Sequence, residues 1–133
     1  MSEPIEFLDL DDLVELARSL LGDPPPIRDI GLLGSAAARP QTTAFGEDAY
    51  PDLLTKAAAL LQSIVNNHAL VDGNTRLGWL ATAVFLELNG IKASHASNDD
   101  VYDLIVWIAA SNPDLDDITT RLRRAIQPAR PRR

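Results

Sequence analysis

Apolar residues return at i, i+3 or i+4 in segment after segment of this chain, and every such segment reads as a helix. In residues 9–21, Asp9 predicts a cap, Asp11 and Asp12 suit the first turn, and Leu13, Leu16, Ala17, Leu20 and Leu21 form one stripe. Gly22 ends it, and Pro24, Pro25 and Pro26 forbid continuation. A second helix is expected over 28–38, with Ile30, Leu33, Ala37 and Ala38 on its apolar face, two glycines weakening it, and Pro40 stopping it. Residues 41–50 are polar and contain Gly46, which predicts an exposed loop or a short irregular hairpin. Pro51 reads as a first-turn residue of the third helix, whose stripe is Leu53, Leu54, Ala57, Ala58, Leu61, Ile64 and Val65, ending near Asn66 and Asn67. The fourth covers 75–89, with Leu77, Leu80, Ala81, Val84, Phe85 and Leu88 inward and Asn89-Gly90 as its stop. The fifth starts at Asp99 or Asp100 and runs to residue 110, with Val101, Leu104, Ile105 and Ile108 inward; a turn over 111–114 leads into a last helix over 115–126. The expectation is an all-α bundle with short connections, one domain over 1–126 and a basic, frayed tail over 127–133.

Composition narrows the function classes. A chain of 133 residues can bury a continuous core without covalent staples. It has no cysteine, which excludes disulfides and thiolate metal sites and fits a reducing cytoplasm. The opening MSEPIEFLDLDD lacks a basic, then apolar, leader, and no apolar run is long enough to span a bilayer, so a cytoplasmic protein with no membrane partner is expected. The net charge of −7 argues against a nucleic-acid reader. Arg121, Arg123, Arg124, Arg130, Arg132 and Arg133 run against that charge; they read as cations favourable at a helix C-terminus, followed by a Pro-broken end.

Between the two most apolar helices lies HALVDGNTR, His68 to Arg76. Its groups gather at a helix N-terminus, where unpaired N–H groups and the dipole favour an anion. Gly73 lacks a Cβ and lets backbone approach a ligand, Asn74 offers its amide, and Arg76 can fork onto phosphate oxygens. Asp72 suits Mg²⁺ beside a nucleotide phosphate, and His68 suits a base that takes a proton from a hydroxyl nucleophile. D-G-N alone is a common turn and a lone histidine is often structural; the combination at this spacing carries the reading as a phosphoryl-transfer site. Elsewhere, His95 reads as a loop residue, and Tyr102 and Trp107 as core or rim packing rather than a base-stacking platform. Arg28 and Asp29 read as a local pair or a brace for the 41–50 segment, and nothing fixes Glu47 beside Asp72 as a hydrolytic pair.

HALVDGNTR resembles the Fic/Doc signature H-x-F-x-[D/E]-[G/A]-N-[G/K]-R, and IRDIGLLGSAAARPQ, FGEDAYPDLLTKAAALL and FLELNG look like the death-on-curing (Doc) branch in the same order. The resemblance implies the helical Fido fold, with His68 as catalytic base, Asp72 holding Mg²⁺ on ATP, and Gly73, Asn74, Thr75 and Arg76 along the phosphates. The loop from Arg39 to Tyr50 would be the flap that places a target segment. Fic relatives transfer AMP to protein hydroxyls. Doc relatives phosphorylate a threonine of elongation factor Tu, halt translation, and are paired with a separate, Phd-like antitoxin chain.

Three departures modify that expectation. Leu70 stands where the signature has Phe, an apolar anchor that leucine can serve. Trp79 stands where AMP transferases carry a second phosphate-holding arginine, which favours phosphate transfer. Thr75 stands where Doc relatives carry lysine; a hydroxyl brings no charge, so transition-state stabilisation should weaken by roughly a few kcal/mol. The alternatives left open are an AMP transferase and an inactive module that acts by binding.

Overall fold

The computed structural model describes residues 4–128. Six α-helices carry the fold: α1 (Leu10–Leu21), α2 (Ile30–Ala38), α3 (Leu53–Asn67), α4 (Asn74–Leu88), α5 (Asn98–Ser111) and α6 (Leu115–Ile126). A 3-10 turn, Arg39–Gln41, and a two-stranded hairpin, β1 (Thr43–Ala44) and β2 (Glu47–Asp48), separate α2 from α3. The tail expected over 127–133 lies outside the described residues from position 129 onward.

Local chemistry sets most boundaries. Asp9 and Asp12 form a reciprocal capping box at α1, and Gly22 ends it. Asp29 caps α2 through Leu32, so Arg28 is not helical as the sequence suggested; its backbone is tied elsewhere. Pro40 sits inside the 3-10 turn, where its missing N–H costs nothing. Pro51 precedes α3 instead of opening it, and Asp52, whose carboxylate meets Arg123 at 3.2 Å, takes the N-cap position. Ser97 caps α5 through Asp100. Arg123 and Arg124 lie in the last turn of α6, where cations suit the helix dipole.

The core forms around α3, which packs against α2, α4, α5 and α6. Ten of its fifteen residues are buried, far more than a single stripe requires, so this helix is the axis of the bundle. Leu61, Ile64, Leu77, Ala81, Phe85, Leu104, Ile108 and Leu122 meet in one apolar cluster. Three stripe residues were assigned inward and are not: Ile30, Ala38 and Leu88 are exposed, Ile30 because it opens α2 at the surface and Leu88 because it closes α4 there.

Helices α3 and α4 approach closely at Gly78, where an added Cβ would lie 2.9 Å from a Val65 methyl. Gly78→Val is therefore expected to destabilise the fold by about 2–3 kcal/mol through overpacking, read as a lower urea midpoint with an unchanged slope.

The hairpin is fastened by two cations. Arg39 donates to the Ala59 carbonyl (3.2 Å), Gln62 (2.8 Å) and Ser63 (3.1 Å), with Tyr50 5.6 Å from its guanidinium carbon. Lys56, 1% exposed, reaches up from α3 to Asp48 at 3.1 Å and to the Tyr50 carbonyl, beneath the Phe7 ring. Asp48 is 58% exposed and is readily rehydrated when released. Lys56→Met should thus hold global stability within about 1 kcal/mol while the Ala49 amide, bonded to the Thr42 carbonyl, loses protection in hydrogen exchange.

Candidate functional site

The connection between α3 and α4 begins with a reversal at His68, which ends α3 in the left-handed region (φ 55°, ψ 42°). That conformation is costly for a residue with a Cβ and persists only where surrounding contacts impose it. Here they are explicit. The Ala69 carbonyl accepts from the Arg28 and Asp29 backbone N–H groups at 2.8 and 3.0 Å, and the Val71 N–H donates to the Pro26 carbonyl at 2.8 Å. Ile27 and Leu70 form a bridge, and Arg28 Nε donates to the His68 carbonyl at 3.0 Å, joined by Nη2. Ala69 and Leu70 are buried, so the segment is pinned to the core while His68, Val71 and Asp72 are exposed. Leu70 fills the apolar anchor position.

The preceding turn of α3 is fixed independently. Asn66 donates to the Asn112 side chain at 2.9 Å, and Gln62 to Asn112 (3.1 Å) and the Pro113 carbonyl (3.0 Å). Helix α3 is thereby locked to the α5–α6 turn just before it delivers His68.

Helix α4 then starts at Gly73, also left-handed (φ 89°) and buried. An added Cβ would lie 2.7 Å from Leu21, so the space that the sequence reading left for a ligand is occupied by α1. Gly73 is required for the turn and for helix packing. Asn74 also differs from expectation: its carboxamide accepts from the Leu70 N–H and donates to the Leu70 carbonyl, both at 3.0 Å. It braces the loop from within. What remains at the mouth is the helix N-terminus itself. No side chain caps it, and among the described residues nothing accepts from the backbone N–H groups of Asn74, Thr75 and Arg76.

Flanking that terminus, Asp72 Oδ1 accepts from the Gly73 N–H at 2.8 Å, fixing the carboxylate at the mouth. Thr75 and Arg76 are exposed, and Arg76 makes no ion pair among the described residues. Beside them opens an apolar groove of about 460 Å³, lined by Leu20, Trp79, Leu80, Tyr102 and Ile105 as well as Thr75 and Arg76. Trp79 and Tyr102 are thus groove residues, whereas Trp107 carries Arg121 stacked 4.3 Å from its ring. His95 is exposed on the loop between α4 and α5, and Glu47 is exposed on β2. No three His, Asp or Glu side chains cluster as a metal cage among the described residues. The Asp72 carboxylate, held at the mouth, is a group that could take a Mg²⁺ whose other ligands are phosphate and water oxygens.

Taken together, the uncapped N–H groups, an unpaired guanidinium, a carboxylate and an exposed imidazole suit a polyphosphate. Arg28, expected from the sequence to pair with Asp29 or to brace residues 41–50, instead meets the His68 carbonyl across 40 positions, a contact that no local pattern announces. A family model described as the Fic/DOC family matches residues 7–86, a span that includes Arg28 and the segment from His68 to Arg76. The toxin Doc of Mycolicibacterium smegmatis is 47% identical to this chain over 118 residues, covering 88% of this chain and 91% of that protein. Among the described residues no helix is long and apolar enough to cross a membrane.

Proposed function

Because the chain belongs to the Fic/DOC family, we propose that it is a Doc-type toxin of a toxin–antitoxin pair, and that it phosphorylates a Thr or Ser hydroxyl of a translation factor, elongation factor Tu in the first instance, using ATP. The observation that carries this reading is the uncapped N-terminus of α4, set between Asp72 and Arg76 and directly after His68. The chemistry asked of the protein in phosphoryl transfer is positioning and charge stabilisation, with one group to receive a proton.

His68 takes the proton from the target hydroxyl as its oxygen attacks the γ-phosphorus. The new O–P bond forms as the bond to the β,γ-bridging oxygen breaks, and ADP leaves. The N–H groups of Asn74, Thr75 and Arg76 and the Arg76 guanidinium hold the phosphate oxygens, with the Gly73 turn setting where those donors point. Asp72 would hold Mg²⁺, which neutralises phosphate charge when bound. Trp79, half-buried in the groove wall, offers no second cation to a phosphate, and this supports γ-phosphate over AMP transfer. The hairpin β1–β2 is the counterpart of the flap. The apolar groove beside the cradle gives an apolar segment of a Phd-like antitoxin a bed next to the site.

The test is labelling of a bacterial lysate with γ- or α-labelled ATP in separate reactions. Label from γ-labelled ATP alone, on one predominant band and suppressed by the antitoxin, is expected. Label from α-labelled ATP would replace this reading with AMP transfer.

A further inference from the structure

We propose that Arg28 is a positioning residue for His68, a role that rests on His68 being the base. Arg28 lies just before the Asp29 cap of α2, in the short extended stretch that pairs with Ala69 and Leu70. Its side chain is exposed and makes no ion pair among the described residues. Instead both Nε, at 3.0 Å, and Nη2 donate to one acceptor, the His68 carbonyl. A planar, permanently charged fork is thus committed to a neutral backbone oxygen at the surface. The contribution of such a contact to the core is small, and its consequence is local.

That consequence follows from the backbone at His68. The left-handed conformation fixes the direction of its Cα–Cβ bond and hence where the imidazole stands relative to the α4 N-terminus. Rotating His68 toward the more populated right-handed or extended regions would swing its carbonyl away from Arg28 and the imidazole away from the cradle. The Arg28 backbone N–H holds the next carbonyl, that of Ala69, at 2.8 Å. One residue therefore grips two successive carbonyls, and its side chain grips the one that belongs to the base. Asp29 makes no ion pair with Arg28 among the described residues; its Oδ1 accepts from the Leu32 N–H at 3.1 Å, and the guanidinium goes to His68.

The full chain, with Arg28→Met and Arg28→Lys, tests this in two arms. In the first, transfer from γ-labelled ATP to the acceptor protein is followed at steady state. Arg28→Met is expected to lower kcat by about 10- to 100-fold, the effect of a base displaced by a fraction of an ångström to an ångström. KM for ATP and for the acceptor should stay unchanged, and thermal unfolding should barely move. Arg28→Lys should restore a large part of kcat, because an ammonium still donates to the carbonyl. A raised KM for ATP with kcat intact would overturn the proposal by making Arg28 a phosphate ligand. A loss of rate equal to the loss of folded protein would overturn it by making the residue merely structural. The second arm reads the His68 carbonyl ¹³C and Ala69 ¹⁵N resonances, which need no activity. They should shift in Arg28→Met and return toward wild type in Arg28→Lys; unchanged resonances contradict the proposal. A wild-type chain that transfers no label refutes the functional reading instead, and the resonances still decide whether Arg28 sets the geometry at His68.

Discussion

His68→Ala is expected to lower phosphate transfer by about 10²- to 10⁴-fold, the usual contribution of a positioned general base. The loss should appear in kcat, with ATP affinity retained, because the phosphate donors belong to α4 and not to the imidazole. The fold should be untouched. His68 is exposed, and what the structure uses is its backbone: the carbonyl that meets Arg28 and the left-handed turn that ends α3. Alanine keeps both. The measurement is single-turnover transfer from γ-labelled ATP at saturating nucleotide, with thermal unfolding as control. A variant that retains most of the wild-type rate would remove His68 from the chemistry.

Thr75→Lys is expected to act in the opposite direction, raising kcat by about 10²-fold or more, the scale of gaining one charged donor at a developing phosphate charge. Thr75 is exposed in the first turn of α4, at the uncapped terminus and on the lining of the apolar groove, so a longer side chain has room. A cation there also opposes the helix dipole, at a cost of about 0.3–1 kcal/mol. Activity should therefore rise while the urea midpoint falls slightly, a combination that a general improvement in folding would not produce. Growth arrest on expression should become more severe in parallel. An unchanged rate would mean that the scaffold lacks more than this charge, and would favour a module that acts by binding.

Most of the helical framework was legible because its determinants are local. Asp9 and Gly22 bracket α1, and the turn before α6 fixes that helix over Leu115–Ile126. The candidate segment is contiguous, His68 to Arg76, so its place just before a helix is legible for the same reason. What escaped was non-local. The pairing of residues 26–29 with 69–71 makes Arg28 a strut and not a helical residue, and only the folded chain brings those stretches together. The sequence explains the missing Cβ of Gly73 by close approach of a ligand to the backbone, whereas in the fold Leu21 from a distant helix occupies the place of that Cβ. The Asn74 amide is offered to a ligand on the sequence alone, but Leu70, four residues earlier, engages its carboxamide in the fold. Lys56 escaped as well: it lies outside the stripe Leu53, Leu54, Ala57, Ala58, Leu61, Ile64 and Val65, and only the wider burial of α3 in the folded chain encloses it.

The most direct measurement is the intact mass of purified elongation factor Tu after incubation with this chain, ATP and Mg²⁺. A gain of one phosphate group is expected, located by fragmentation on a single Thr or Ser and absent with His68→Ala. A gain of one AMP group would contradict γ-phosphate transfer, and an unmodified factor alongside a different labelled lysate protein would contradict the assigned target.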